Sequence, residues 1–331
     1  MCFFAAVRDP ALFQLVEFYK QDIRALGELG HEVDLVSDPR QLRRDCDLYW
    51  VWWPTSGAPA VLAARLRSRP VILVTAISDR DTGAGFATKP LHTRLAARFS
   101  MAAADMTLAT SQDTCEGLRR YRTRRIRVGR LGVDTDFYRP RGRDTDAPVS
   151  VLTVSHLTAE NVRRKRILDV VRTAAIVHRD LPGARFTIAG GHEDGIAAVR
   201  NEIAQLRMQD VIDLPGRISA EEKRDAMAGA TVYFQPTDYE AFGMASAEAM
   251  ACGAPVLSNA VGAVAEVVGD SGVLLPRGAG PEAYAAALLS LLNDPQRSVL
   301  GAQARDRAQR LFSHHARRNV VEQALDAVRP T

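Results

Sequence analysis

The stretch Pro236-Thr237-Asp238-Tyr239-Glu240-Ala241-Phe242-Gly243-Met244-Ala245-Ser246-Ala247-Glu248-Ala249-Met250-Ala251-Cys252-Gly253-Ala254-Pro255 follows a β-branched and aromatic run at 231–235. Together they read as strand, loop and helix, with the helix opening near Gly243 and closed by Gly253 and Pro255. A helix that starts directly after a strand turns its free N–H groups and partial positive charge toward the loop, which suits a phosphate. Gly243 lets backbone approach such an anion with no side chain in the way. Glu248 lies about 7.5 Å further along the helix axis, within reach of the hydroxyls of a ribose whose phosphates sit at the helix start. Its neighbours Ala245, Ala247, Ala249, Met250, Ala251 and Cys252 are small or apolar. They imply burial, and a buried carboxylate needs partners. Glu240, on the loop, is placed to touch a sugar hydroxyl on the other side of the diphosphate. The plainer reading of Glu248 is a solvated helix glutamate.

Outward from this stretch the same alternation fills the chain. Strand-like runs fall at 2–5, 32–36, 48–53, 71–75, 106–110 and 126–128, then at 149–154, 185–189, 211–214, 231–235, 255–257 and 272–275, with helical periodicity between them,. Residues 15–29 read as one helix. The segment 139–148, with two prolines and no apolar periodicity, reads as a linker,. The expected fold class is α/β: two doubly wound, Rossmann-like domains facing across a cleft, with ligands outside the carboxyl ends of the strands. Residues 313–328 are helical in pattern and are not placed by periodicity.

Bulk properties narrow the class. The chain has 331 residues, 47% of them hydrophobic, and a formal net charge of +4, enough for two cores and no demand for nucleic acid. The N-terminal residues read as a buried strand rather than a secretory signal, and no apolar run approaches the ~20 residues of a membrane span. Cys2, Cys46, Cys115 and Cys252 are scattered, so free thiols in a cytoplasmic protein are expected rather than a disulfide or zinc.

Glu-x-Phe-Gly-x-x-x-x-Glu at 240–248, followed by Ala249-Met250-Ala251, Gly253 and Pro255-Val256, resembles the donor motif of family 4 retaining glycosyltransferases (glycosyltransferases group 1). Gly30-His31-Glu32-Val33, Ala104-Asp105, Ser111, the run from Gly132 to Pro140, Ala265-Glu266-Val267-Val268 and the run from Gly272 to Pro276 match further family segments. The resemblance covers most of the chain. It implies the GT-B fold, with an acceptor domain over 1–143, a nucleotide-sugar domain over 144–312, and a final helix, 313–331, that crosses back to the first domain. It implies transfer of a sugar, with retention, from a nucleotide-diphosphate donor such as a UDP or GDP sugar to a hydroxyl; the short first domain, with few insertions, suggests a small-molecule, glycolipid or envelope-glycoside acceptor. No cofactor is implied beyond the donor, and no metal. Glu248 would hold ribose, the Phe242, Gly243 and Met244 backbone the phosphates, and Glu240 the sugar.

Three departures stand out. The family places an Arg after the first strand of the second domain, where this chain has His156, and a clamp Lys, which Lys165 in the run Arg163-Arg164-Lys165-Arg166 matches best. Arg164 is the candidate to replace the missing Arg; a basic run at a helix start is disfavoured unless an anion is present. A histidine, unlike an arginine, can change its charge with pH in the physiological range. The usual glycine loop after the first strand is replaced by Val7-Arg8-Asp9-Pro10, and Ile77 stands near an expected His, which makes Arg8, Asp9 and Asp79 candidates for acceptor contacts. Asp79-x-Asp81 and Asp134-x-Asp136 resemble a metal-binding D-x-D, a motif too short to carry weight.

Two further features stay open. Trp50, Trp52 and Trp53 read as core, with Trp53 also placed to stack on an acceptor ring. Seven arginines between Arg119 and Arg130 read as a solvated edge or as a contact for an anionic lipid surface or a phosphorylated acceptor,. Nucleic acid is not expected there, since only Tyr121 interleaves. The alternatives to a transferase are an enzyme acting on the nucleotide sugar alone, epimerase or phosphorylase-like, and a non-catalytic binding subunit.

Overall fold

The computed structural model describes residues 1–43, 45–77, 85, 88–142, 148–191 and 193–329, with Glu193 described for its backbone alone. The chain forms two compact units, Met1–Asp134 with Leu311–Thr331, and Thr135–Arg310.

The first unit is built on β1 (Cys2–Phe4), α1 (Leu12–Leu15), α2 (Glu17–Glu28), β2 (Asp34–Val36), β3 (Tyr49–Trp52), α3 (Ala58–Leu66), β4 (Val71–Thr75), α4 (Leu91–Ala103), β5 (Met106–Ala109), α5 (Gln112–Leu118) and β6 (Ile126–Val128). Its strands form a parallel sheet in the order β2-β1-β3-β4-β5-β6. The winding reverses between β1 and β3, so the loops after those two strands flank the crevice where such sheets bind ligands. Strands β1, β3, β4 and β5 are buried throughout, as continuous apolar runs in a sheet covered on both faces must be. The single helix expected over 15–29 is two helices, because Val16 is extended (φ −88°, ψ 115°) between α1 and α2.

The second unit contains β7 (Ser150–Val154), α6 (Ala159–Arg164), α7 (Ile167–Asp180), β8 (Arg185–Ala189), α8 (Glu193–Gln205), β9 (Ile212–Gly216), α9 (Ala220–Gly229), β10 (Val232–Gln235), α10 (Met244–Ala251), β11 (Val256–Asn259), α11 (Val264–Val268), β12 (Gly272–Leu275), α12 (Pro281–Asn293) and most of α13 (Arg297–Phe312). Its parallel sheet runs β12-β11-β10-β7-β8-β9, and the reversal lies between β7 and β10. The change of unit falls before the segment expected as a linker. Arg305 explains it: its guanidinium donates to the carbonyls of Thr135, Tyr138 and Ala251 at 2.9, 2.8 and 2.7 Å, which ties the 135–138 stretch to the second unit.

The chain returns to the first unit for α14 (His314–Asp326). A fully buried ion pair holds it there. Arg317 of α14 donates from Nε and Nη2 to both oxygens of Asp22 on α2, at 2.6 and 2.9 Å. Trp50 and Trp52 each donate an indole N–H to Asp22 at 3.1 Å, and Arg317 also donates to the carbonyls of Gly129 and Arg130. Each charge is thus satisfied, the condition on which a buried pair is tolerated. Two of the three tryptophans are core residues with a polar duty. Trp53 sits at a strained positive φ of 67° after β3, donates to the Tyr19 hydroxyl at 2.6 Å and packs beside Phe18 and Trp52.

Candidate active site

The loops after β7 and β10 flank the reversal of the second sheet, and they carry most of the residues singled out from sequence. After β7 the chain passes through Ser155 and His156 to Thr158, whose side chain accepts from the Asn161 N–H at 3.1 Å and starts α6. Because α6 ends at Arg164, the basic run stands at a helix C-terminus, where cations are favoured by the dipole,. This corrects the expectation of a basic helix start, and the helix dipole gives no argument for an anion there. The following residue, Arg166, is left-handed (φ 47°, ψ 42°) and caps α7. It is committed to structure, donating to the Ala279 carbonyl at 2.7 Å and pairing with Asp169 at 2.7 Å. Arg163 is exposed.

Arg164 and Lys165 converge instead on Glu240, in the loop after β10. Lys165 Nζ lies 2.9 Å from Glu240 Oε1, and Arg164 Nη1 lies 3.5 Å from Oε2. Burial alone would raise the Glu240 carboxyl; Lys165 and Arg164 outweigh it and hold the group below the usual glutamate range,. Arg164 also donates to the Tyr239 carbonyl at 2.6 Å and to Asn161 Oδ1 at 2.9 Å, while its own carbonyl accepts from the Asp238 N–H at 2.8 Å. Part of its bonding capacity is therefore spent on fastening the 237–240 loop. Lys165 is the more available cation, being a point charge with three donors.

Phe242 and Gly243 lead into α10. Gly243 is left-handed (φ 94°, ψ 52°), a conformation that favours glycine, and Met244 opens the helix with no side-chain cap on its first N–H groups,. Glu248 lies on this helix and is buried, which excludes the solvated reading. It has a partner that sequence reading missed. Lys223 of α9 donates to Glu248 Oε1 at 2.9 Å and sits 5.1 Å from the centre of the Tyr138 ring. A carboxylate accepts about four hydrogen bonds, so one from lysine leaves room for a vicinal diol. Nothing in the spacing, 25 residues apart in sequence, could have flagged this pair. Tyr233 of β10 lies between the two carboxylates electrostatically: burial, then Glu248, then Glu240 raise its phenol well above the ordinary value. Its hydroxyl lies 3.1 Å from Gln235 Oε1 and 3.4 Å from the Val154 carbonyl, bridging β10 to β7.

His156 is exposed at the end of β7, and its carbonyl accepts from Asn161 Nδ2 at 2.8 Å. The turn it occupies is closed from above by Gly190 (φ 140°), where a Cβ would fall 1.6 Å from the Ser155 carbonyl oxygen. This close approach, written in the sequence as Gly190-Gly191 after a strand, was a signal left unused.

Arg8 and Asp9 follow β1 in the first unit and are exposed; Asp9 Oδ1 accepts from the Ala11 N–H. Ile77 lies just after β4, its N–H donating to Thr75 Oγ1 at 3.1 Å. Asp79 and Asp81 lie outside the described residues. Among the described residues no group of three His, Cys, Asp or Glu side chains converges as a metal site. Asp134 of the other D-x-D forms an ion pair with Arg24 at 3.8 Å. All four cysteines are buried thiols.

Residues 148–294 match the family model for Glycosyl transferases group 1. The chain is 30% identical over 223 residues to an alpha-maltose-1-phosphate synthase of Mycolicibacterium smegmatis, an alignment covering 62% of this chain and 57% of that one. It is 28% identical over 270 residues to a D-inositol 3-phosphate glycosyltransferase of Nocardiopsis dassonvillei, covering 75% and 61%. The chain thus spans less than two thirds of the length of these curated relatives. Among solved structures, sucrose-phosphate synthase from Thermosynechococcus elongatus superposes with a TM-score of 0.79 at 20% identity, over 98% of both chains. HepE of Anabaena, in complex with UDP and glucose, gives 0.78 at 17% identity over 99% of both. The fold is that of the GT-B glycosyltransferases, and residues 148–294 are similar to the glycosyl transferases group 1.

Proposed function

We propose that this chain is a retaining glycosyltransferase that moves a sugar from a nucleotide-diphosphate donor to a hydroxyl of a small-molecule or envelope-glycoside acceptor. The observation that carries the reading is the meeting of Lys165, Arg164 and Glu240 in the loops that flank the β7–β10 reversal, beside a helix whose start is opened by Gly243. The relatives named above, transferases and synthases of sugar phosphates and glycosides, support it.

In this reading Glu248 accepts from the ribose hydroxyls and the Phe242–Met244 backbone holds the phosphates. Lys165, with Arg164 and His156, neutralises the charge that grows on the diphosphate as it leaves. Glu240 binds a sugar hydroxyl and holds Lys165 in place until the donor arrives. The acceptor oxygen bonds to the anomeric carbon on the face from which the diphosphate departs. The bond from that carbon to the phosphate oxygen breaks, and the acceptor proton passes to a phosphate oxygen. The products are the glycoside and the nucleoside diphosphate. No protein nucleophile is required, so the work of the protein is positioning and charge stabilisation.

Incubating the protein with UDP and GDP sugars and a panel of hydroxylated acceptors, and reading the anomeric coupling of the product by NMR, tests this. The α-linked sugar donors should give α-linked products, and Lys165→Ala should lower turnover ~10²–10³-fold. Inverted products, or donor consumed at the same rate without acceptor, would sink the proposal.

A further inference from the structure

On α4 the residues Leu91, Leu95 and Phe99 follow one another at i, i+4 and i+8, and they are 68%, 54% and 40% exposed. The opposite face of the helix, with Ala97, Ser100 and Met101, is the one buried against the sheet. The centre of the outward face is therefore apolar, the reverse of a solvated helix. Helix α3 packs alongside and adds Leu62 and Leu66, also i and i+4, at 48% and 79% exposed. Arg65 joins the two helices by donating to the Ala103 carbonyl.

The rim of this apolar face is basic. Arg94 and Arg98 lie on α4, and the arginine-rich segment stands at its C-terminal end. There, Phe99, Ala102 and Ala103 share a hollow of about 480 Å³ with Arg122, Thr123 and Arg124. Arg98 and Arg120 both sit over the Tyr121 ring, at 5.9 and 5.6 Å, which keeps their charge at this edge. Helices α3 and α4 and residues 118–130 contain no Asp or Glu. Asp105, beneath them, is already paired with Arg65 at 2.7 Å and Arg124 at 3.1 Å.

We infer that the α3–α4 face of the first unit docks on a bilayer that contains anionic phospholipid. Leucine and phenylalanine side chains enter the acyl boundary while the arginines meet the headgroup phosphates, the division of labour of an interfacial amphipathic helix. A second copy of the chain does not fit this face, since apposing it to itself sets arginine against arginine. A nucleic-acid backbone would use the arginines and leave five large apolar side chains in water.

Sedimentation of the full chain with vesicles tests the inference, using phosphatidylcholine alone and an equal mixture with phosphatidylglycerol. The protein is expected to pellet with the anionic vesicles and stay in solution with the neutral ones, with binding that falls as salt rises. Leu95→Glu should weaken partitioning by about tenfold or more, through a charge set in the acyl boundary. Arg122→Ala should weaken it about fivefold. Both positions are exposed, so neither change should shift the melting temperature, and nucleoside diphosphate affinity should be unaltered in both. Equal partitioning to neutral and anionic vesicles, or variants that pellet like the wild type, overturns the inference. So does a chain that stays in the supernatant with every lipid mixture, even if the same face captures an acidic protein.

Discussion

The two units share an architecture, six parallel strands wound in both directions, and differ in where they keep their charge. In the second unit, paired charges gather near the carboxyl ends of β7 and β10: Lys165 and Arg164 against Glu240, and Lys223 of α9 against Glu248 of α10. In the first, a pair lies within the core: Asp22 with Arg317, buried completely and bonded to two indoles. The loop pairs can exchange partners with a ligand. The core pair can only hold α14 in place. On the proposed function one arrangement serves recognition and the other assembly, and the same fold accommodates both because its strand ends and its core are filled by different parts of the sequence.

The largest effect is expected in the core. Asp22→Ala leaves a guanidinium buried without its counter-charge and should cost about 3–5 kcal/mol of stability in urea unfolding. The double variant Asp22→Leu, Arg317→Met should recover much of that loss; if the single variant unfolded like the wild type, the pair would not be the tether of α14. At the ligand end of the comparison, Glu248→Ala should weaken nucleoside diphosphate binding about 10–100-fold, the worth of a hydrogen-bonded charged group at about 1.5–3 kcal/mol. An unchanged affinity in calorimetry would show that Lys223, and not a ribose, is the partner Glu248 exists for. Gly243→Ala forces a side chain into the left-handed region and should cost about 1–2 kcal/mol of stability, visible as a lower melting temperature. A melting temperature equal to wild type would mean that the loop can relax away from its positive φ.

The smallest effect is a pH dependence. Glu240 has its carboxyl held low in the folded state, so its ion pairs add stability above the unfolded pKa of about 4.3. That stability is lost as pH falls through the lower folded value,. The stability difference between wild type and Glu240→Gln should therefore shrink below about pH 4. A difference that stayed constant from neutral to acid pH would show that Lys165 and Arg164 do not govern the carboxyl.

Legibility in the sequence followed the same division. Strands β4, β6, β8 and β12 stand where short runs rich in β-branched residues and bounded by turns placed them,. The opening of α10 at Gly243 was legible because a left-handed turn at a helix start admits little else. What sequence could not show were contacts between distant positions, Lys223 with Glu248 and Asp22 with Arg317, where neither residue is marked by its neighbours. The basic run at 163–166 misled because a turn at Arg166 splits α6 from α7, and a β-region Val16 likewise breaks the helix expected over 15–29. Both breaks are local backbone choices that apolar periodicity averages over.

The claim on which the proposed function rests is that the loops after β7 and β10 hold a donor diphosphate, with Lys165 as its cation. Isothermal titration of the wild type and of Lys165→Ala with UDP and GDP tests it most directly. The account predicts saturable binding of one of the two nucleotides by the wild type, and affinity at least tenfold weaker in the variant, about 1.4 kcal/mol. Equal affinity of the two proteins for the bound nucleotide would contradict it.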